Sequence, residues 1–327
     1  MTFRTMTTAA ALGALLLVGC SGEPAGPSAA QAAVADKRVE MERRMAAVYQ
    51  EEIDAWVSER EERLRRPEGW LSLVGLHWLN PGNSFVGSGA MRGVRLAIGP
   101  DELGMITLER DGSVRFRAAR EAGVTYDDKP ASTGSRELAT DADGGTPTVI
   151  GFNQGDASFI VIRRGDRVAL RVRDALAPSL TGFTGIDRFP ADAAYRFVAR
   201  FEPHPPGQTM SVINMVGQEE AMVNPGAVVF EQDGVSFRLE AVDEGDGRLF
   251  LIFSDRTAGH ESYPAARFLY ANAASANGTT VVDFNKAYNP PCAFTAFSTC
   301  PLPPPGNRLD FRVEAGEKKP RPLGAAG

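Results

Sequence analysis

The chain has 327 residues, of which 43% are hydrophobic and 23% charged, with a net charge of −6. That is the balance of a globular protein. An acidic chain with no basic patch interleaved with aromatics is disfavoured as a nucleic-acid binder.

The first residues read as an export signal. Arg4 is followed by an uncharged run whose apolar heart is residues 9–18. This run is shorter than the roughly 20 apolar residues that cross a bilayer, and its flanks fit a secretory signal. It ends in Leu17-Val18-Gly19-Cys20, which resembles a lipobox. The reading predicts cleavage before Cys20, diacylglycerol on its thiol and an acyl chain such as palmitate on its freed amine. Removing residues 1–19 also removes Arg4, making the mature chain one unit more acidic. Residues 20–35 are rich in Ser, Gly, Pro and Ala and predict a flexible tether reaching roughly 20 Å. Ser21 follows the cysteine, which by resemblance to sorting rules in Gram-negative envelopes favours the outer membrane, facing the periplasm.

Residues 36–66 predict one amphipathic helix. Met45, Val48, Tyr49, Ile53, Trp56 and Val57 recur at spacings of three and four. Glu40/Arg44, Glu59/Arg63, Glu61/Arg65 and Glu62/Arg66 lie four apart, and Pro67 ends the pattern. From residue 67 to 318 the period changes to two. Alternating runs flank Asp111-Gly112, Arg164-Gly165-Asp166 and Gln232-Asp233-Gly234, which are hairpin signals. Residues 195–201, 249–253, 267–270, 280–284 and 309–313 read as further strands. About ten to twelve short strands predict a mainly β domain, an antiparallel sandwich or barrel. Residues 127–148 read as a mobile loop and 319–327 as a disordered tail.

Common catalytic signatures are absent. There is no G-x-S-x-G, no phosphate-binding glycine loop and no H-E-x-x-H, and nothing in the pattern calls for a cofactor. His77 sits in an apolar setting that suits a core histidine, His204 lies between prolines, and His260 adjoins Glu261. Cys292 and Cys300 stand eight apart in a Pro-rich loop. In an exported chain they predict a disulfide worth roughly 2.5 kcal/mol. Free or catalytic thiols are the rival reading, and the spacing is a poor match to a metal site. Arg171 and Arg173 share one face of a strand and need anions. Asp283, Asn285, Lys286, Tyr288 and Asn289 crowd a proline-stiffened loop, as sites often do, although the same residues could cap and satisfy a buried loop.

The strings at residues 69–79, 170–174, 267–270 and 283–303, with Asn307-Arg308-Leu309 and Ala315-Gly316-Glu317-Lys318, resemble the DUF1684 family, a domain of unknown function. The resemblance runs from about Trp56 to Lys318 and implies a fold without an activity. It departs from the family where Ala265-Ala266, in place of Ala-Gly, precedes Arg267.

Three functions follow as expectations. In the first, Arg173, Arg267, Asp283, Asn285, Tyr288 and Asn289 form a polar pocket at strand ends for a small anionic or sugar-like ligand. In the second, the chain is an envelope hydrolase using Asp283 with His77 or His260. In the third, the helix is an arm for a protein partner. Arg173 is expected to pair with Asp283, or failing that with Glu317.

Overall fold

The computed structural model describes residues 29–321 except 133, 143 and 144; side chains are described from residue 33 onward, except at 35. The predicted signal, Cys20 and the first part of the tether lie outside the described residues. The chain divides between Val48 and Tyr49 into two units.

Helix α1 spans Ala29–Leu64. It therefore starts seven residues before the predicted boundary and ends two residues short of it. Ala29-Ala30-Gln31-Ala32-Ala33 is a strong helix-forming run, because alanine loses no side-chain entropy on entering a helix. Composition alone had read these residues as tether. The Glu40/Arg44, Glu59/Arg63 and Glu61/Arg65 pairs form, and Arg38 pairs with Glu42 as well. The buried stripe is shorter than the apolar one. Ile53 and Leu64 are buried and Arg60 joins them, whereas Met45 and Val48 are exposed.

The rest is mainly β, with 19 strands among the described residues and no closed barrel. The first eleven are β1 (Leu73–Trp78), β2 (Gly82–Gly87), β3 (Val94–Arg95), β4 (Gly104–Leu108), β5 (Val114–Ala118), β6 (Thr125–Tyr126), β7 (Lys129–Pro130), β8 (Arg136–Glu137), β9 (Ile150–Phe152), β10 (Ala157–Arg164) and β11 (Arg167–Asp174). They make a six-stranded sheet, β1-β11-β10-β9-β6-β7, and a five-stranded sheet, β3-β2-β4-β5-β8. All pairings are antiparallel except β2 with β3. The inner faces of both sheets meet over one core that includes Phe116, Phe152, Phe159, Leu170 and Val172, a sandwich built on period-two alternation. The loop predicted at residues 127–148 contains β7 and β8, two-residue strands too short to show alternation.

The remaining strands are β12 (Arg196–Pro203), β13 (Thr209–Ile213), β14 (Glu219–Val223), β15 (Gly226–Gln232), β16 (Val235–Glu240), β17 (Leu249–Phe253), β18 (Arg267–Ala271) and β19 (Thr279–Asp283). A four-stranded sheet, β16-β15-β12-β19, shares a second core with one face of the β17–β18 hairpin, through Leu249, Leu251, Phe253 and Leu269. The hairpin's other face carries Phe250, Ile252 and Phe268 into a third cluster with Val212 of β13 and Cys300. Both faces of β17 are thus buried. Residues 309–313 are not a strand: Leu309 and Val313 fill the second core from an irregular segment, with Arg308 bridging to Ser254. The fold continues past Lys318. Lys319 donates its N–H to the Glu261 carbonyl at 2.9 Å, and Arg321 forks onto Asp187 at 2.6 and 2.8 Å.

Candidate functional site

The polar residues singled out in the sequence form two structures, and the first is a clasp on the helix. Asp283 ends β19 and caps a short turn, its Oδ1 accepting the Asn285 N–H at 3.1 Å. The same oxygen accepts the Tyr49 hydroxyl at 2.8 Å. The Asn285 amide donates to Tyr49 Oη at 2.8 Å and to the Asp192 carbonyl at 2.7 Å. Burial and Asp283 together push the Tyr49 hydroxyl well above its ordinary value. Four residues later the Asn289 N–H donates to Glu317 Oε2 at 2.7 Å, and its amide to the Lys318 carbonyl at 2.7 Å. The other Glu317 oxygen accepts Arg60 Nε at 3.1 Å, and the same guanidinium reaches the Asn289 carbonyl at 3.0 Å.

Gly316 makes this closure possible. Its φ is +76°, and a Cβ there would stand 2.4 Å from the Ala287 carbonyl oxygen, a conformation and an approach open to glycine. That close passage lets the Glu317 N–H bond the Ala287 carbonyl at 2.8 Å.

Arg267 is equally committed. It is 1% exposed, pairs with Asp255 Oδ2 at 2.9 Å, and donates to the carbonyls of Val313 and Ala315. The expected pairing of Arg173 with Asp283 or Glu317 does not form. Asp283 is met by Tyr49 and, at 3.7 Å, by Arg196, and Glu317 by Arg60. Arg173 stays half-buried on β11, where the acid acting on it is Glu68. The strand alternation was right, but residues in two different sheets cannot be matched from their faces alone.

The second structure is a cleft of about 1220 Å³. On one side stand the outer face of β10 and β11 and the turn at Trp70; on the other, β14 and the outer face of the β17–β18 hairpin. The helix from Trp56 to Leu64 and the loop from Ser298 to Pro301 complete it. One wall is aromatic. Tyr270 stacks on Phe250 at 4.9 Å and on Tyr288 at 6.3 Å between ring centroids. The Arg248 guanidinium lies 3.9 Å over the Tyr270 ring, and that of Arg60 4.7 Å over Tyr288. Eight basic side chains line the cleft against five acidic ones, so its charge favours anions.

Most of these cations are already held. Arg60 has Glu317, Arg248 has Asp246, and Arg164 has Asp141 at 2.7 Å. Arg171 differs. It is 5% exposed and makes no ion pair among the described residues; its Nε, like those of Arg173 and Arg267, has no hydrogen-bond partner. Opposite it in register stand Leu76 of β1 and Ile160 of β10, both apolar. The Trp70 ring lies 5.4 Å away, and Asp141, paired with Arg164, is the acid whose charge reaches it. Burial brings its pKa down to about 10, which leaves it charged at neutral pH.

Of the residues expected to form a site, Tyr288 alone lines this cleft. Arg173, Arg267, Asp283, Asn285 and Asn289 do not, and neither do His77 and His260. His77, on β1, borders a separate cavity of about 400 Å³. His260 is exposed in a turn, its N–H bonded to the Thr257 carbonyl. His204 meets Glu240 at 2.8 Å. Cys292 and Cys300 are free thiols here, and the predicted disulfide is not formed; instead the Cys292 N–H donates to Cys300 Sγ at 3.1 Å. Compartment and spacing suggested a covalent bond, whereas the two residues meet through this backbone hydrogen bond. Sequence reasoning missed Arg171 as the distinctive cation. The cue was its place in the apolar strand 168–172, but the strand that faces it is set by the fold.

Residues 181–318 match the profile of DUF1684, described as a protein of unknown function. Over these residues the chain belongs to the DUF1684 family. The match takes in the whole clasp loop and the β17–β18 hairpin, while the strings at 69–79 and 170–174 fall outside it. Among solved structures the chain is similar to an uncharacterized protein of Haloarcula marismortui, determined by solution NMR. The two are 31% identical over 42% of this chain and 78% of that one, with a TM-score of 0.36. No curated protein matches the chain.

Proposed function

We propose that this DUF1684 protein binds a small ligand bearing an acidic group in the cleft. The acid would lie against Arg171, with a planar or sugar-ring body along the aromatic wall. The observation that carries this reading is Arg171 itself. A buried guanidinium keeps its charge and calls for an anion, and the acid that reaches Arg171, Asp141, is already paired with Arg164. Two guanidinium-capped tyrosines offer flat apolar faces to such a body. The hydrolase reading is not retained. Asp283, its intended acid or base, is held by Tyr49 and Asn285 away from the cleft, and His77 and His260 stand apart from it.

Titration calorimetry with inorganic phosphate, benzoate and glucuronate tests the proposal. Saturable binding of at least one, weakened tenfold or more by Arg171→Gln, is expected. Equal affinities in wild type and Arg171→Gln would overturn it.

We also propose that the chain is an envelope lipoprotein, anchored through Cys20 in the outer membrane and facing the periplasm. Leu17-Val18-Gly19-Cys20 and the uncharged run before it support this. Cys20→Ala should shift the protein from the membrane pellet to the soluble fraction. Retention in the pellet after a carbonate wash would count against lipid anchoring.

A further inference from the structure

The cleft contains one reactive element that the ligand reading leaves unused. Cys300 lies on its wall, 4% exposed, and Cys292 lies behind it, half-buried. Besides the backbone N–H of Cys292, Cys300 Sγ has Ser298 Oγ at 3.5 Å, and the two thiols stand close enough to shift each other's proton affinity. Charged neighbours come from the facing strands. Arg171 on β11 acts on Cys300 and makes no ion pair among the described residues, the nearby Asp141 being held by Arg164. Arg164 donates to Thr299 Oγ1 at 3.1 Å, but its charge is answered by Asp141. From the far side, Tyr263 gives its hydroxyl proton to the Cys292 carbonyl at 2.9 Å.

We propose that Cys300 and Cys292 form a reversible dithiol–disulfide couple, in which Cys300 meets a peroxide-class oxidant entering by the cleft and Cys292 resolves the product.

The two sulfurs are unequal in a way that assigns these roles. The Cys292 side chain, with Ser298, the Cys292 N–H and Arg171, draws the Cys300 thiol down against its burial. The same thiol contact, with burial, pushes Cys292 up. A thiolate is the nucleophile, and the thiol that holds its proton waits. In the first step the Cys300 thiolate attacks one peroxide oxygen. The S–O bond forms, the O–O bond breaks, and the other oxygen leaves and takes a proton from water. Sulfur loses two electrons and the peroxide gains them. In the second step Cys292 sulfur attacks the sulfenic sulfur. The S–S bond forms, the S–O bond breaks, and the oxygen leaves as water with the Cys292 proton. A dithiol reductant returns two electrons and two protons and restores both thiols.

The test begins with the full chain, reduced with a dithiol and freed of reductant, then exposed to hydrogen peroxide at pH 7. Peptide mapping without reduction should find residues 292 and 300 linked, at a rate about tenfold above that of an unperturbed thiol. Cys292→Ser should accumulate a dimedone adduct on Cys300. Cys300→Ser should leave Cys292 reduced over the same interval. Fresh dithiol should reverse the link without denaturant. The proposal is overturned if wild-type Cys300 oxidises no faster than an unperturbed thiol, or if the link resists native reduction and so is a permanent staple. Oxidation of Cys292 in Cys300→Ser at the wild-type rate also overturns it. The wild-type arms stand even if a serine variant fails to fold.

Discussion

The clasp and the cleft both bury arginines, and they treat them in opposite ways. Arg267 and Arg60 each meet a carboxylate and at least one backbone carbonyl. Arg171, as deeply buried as Arg60, meets an indole ring and empty space. A buried charge paired with a carboxylate is scaffold, because removing it strands another charge. A buried charge without partners costs the empty protein stability, and that cost is recovered when something else supplies the anion. The polar loop at residues 283–289 falls on the scaffold side of this division, except for Lys286 and Tyr288, which line the cleft. It ties helix α1, from Tyr49 on, to the β body.

The comparison is broken most severely at Arg267. Arg267→Met leaves Asp255, whose side chain is fully buried, without its cation, and should cost about 3–5 kcal/mol. Urea denaturation should register most of that loss as an earlier midpoint. A stability within error of wild type would mean that this pair is not structural. Tyr49→Phe is milder. It removes one hydroxyl that both accepts from Asn285 and donates to Asp283, at a cost of about 1–2 kcal/mol, and should loosen the helix before the sheets. Amide hydrogen exchange across residues 49–64 would show this as faster exchange confined to the helix.

Arg171→Met sharpens the contrast from the other side. The variant loses a charge that has no partner and gains an apolar chain between Leu76 and Ile160. Its melting temperature should equal or exceed that of wild type, with a change in stability of about 1 kcal/mol or less. A loss as large as that of Arg267→Met would place Arg171 in the scaffold and remove the basis for a ligand.

Much of this division was legible in the sequence, and its failures are specific. The hairpins at Asp111-Gly112, Arg164-Gly165 and Asp233-Gly234 came from turn chemistry, which is local, and each joins paired strands in the structure. The absence of barrel closure was not legible, because closure depends on which sheet edges meet. The polar loop at 283–289 was visible, but whether its groups are satisfied depends on Tyr49 and Glu317, more than 230 residues before it and 28 after. Arg171 and Arg173 look alike in sequence, two residues apart on one face. Burial and the acids that reach them, Asp141 for Arg171 and Glu68 for Arg173, separate them, and neither is written in the strand.

The smallest effect concerns His77, whose imidazole was a candidate catalytic base. It sits on β1 opposite Leu170, half-buried beside the smaller cavity, where Leu76, Leu96 and Phe297 are neighbours and Arg95 brings the one full charge. Burial lowers its pKa, and nothing near it offers an anion to offset that. In the unfolded chain the imidazole takes a proton near pH 6.5, while in the fold it resists until lower pH. As pH falls through that interval the unfolded state binds the extra proton, so stability drops. The loss is complete once the folded protein also protonates. His77→Gln should flatten this part of the curve, giving a smaller difference than wild type between denaturation midpoints at pH 7.5 and pH 5.5. A catalytic base poised in an active site would instead be matched to a carboxylate, and its removal would change ligand binding in the cleft. If phosphate or benzoate titrations of His77→Gln match wild type while the pH slope flattens, His77 belongs with the scaffold. An unchanged slope would mean that this imidazole is solvated and that the wall of the smaller cavity is open.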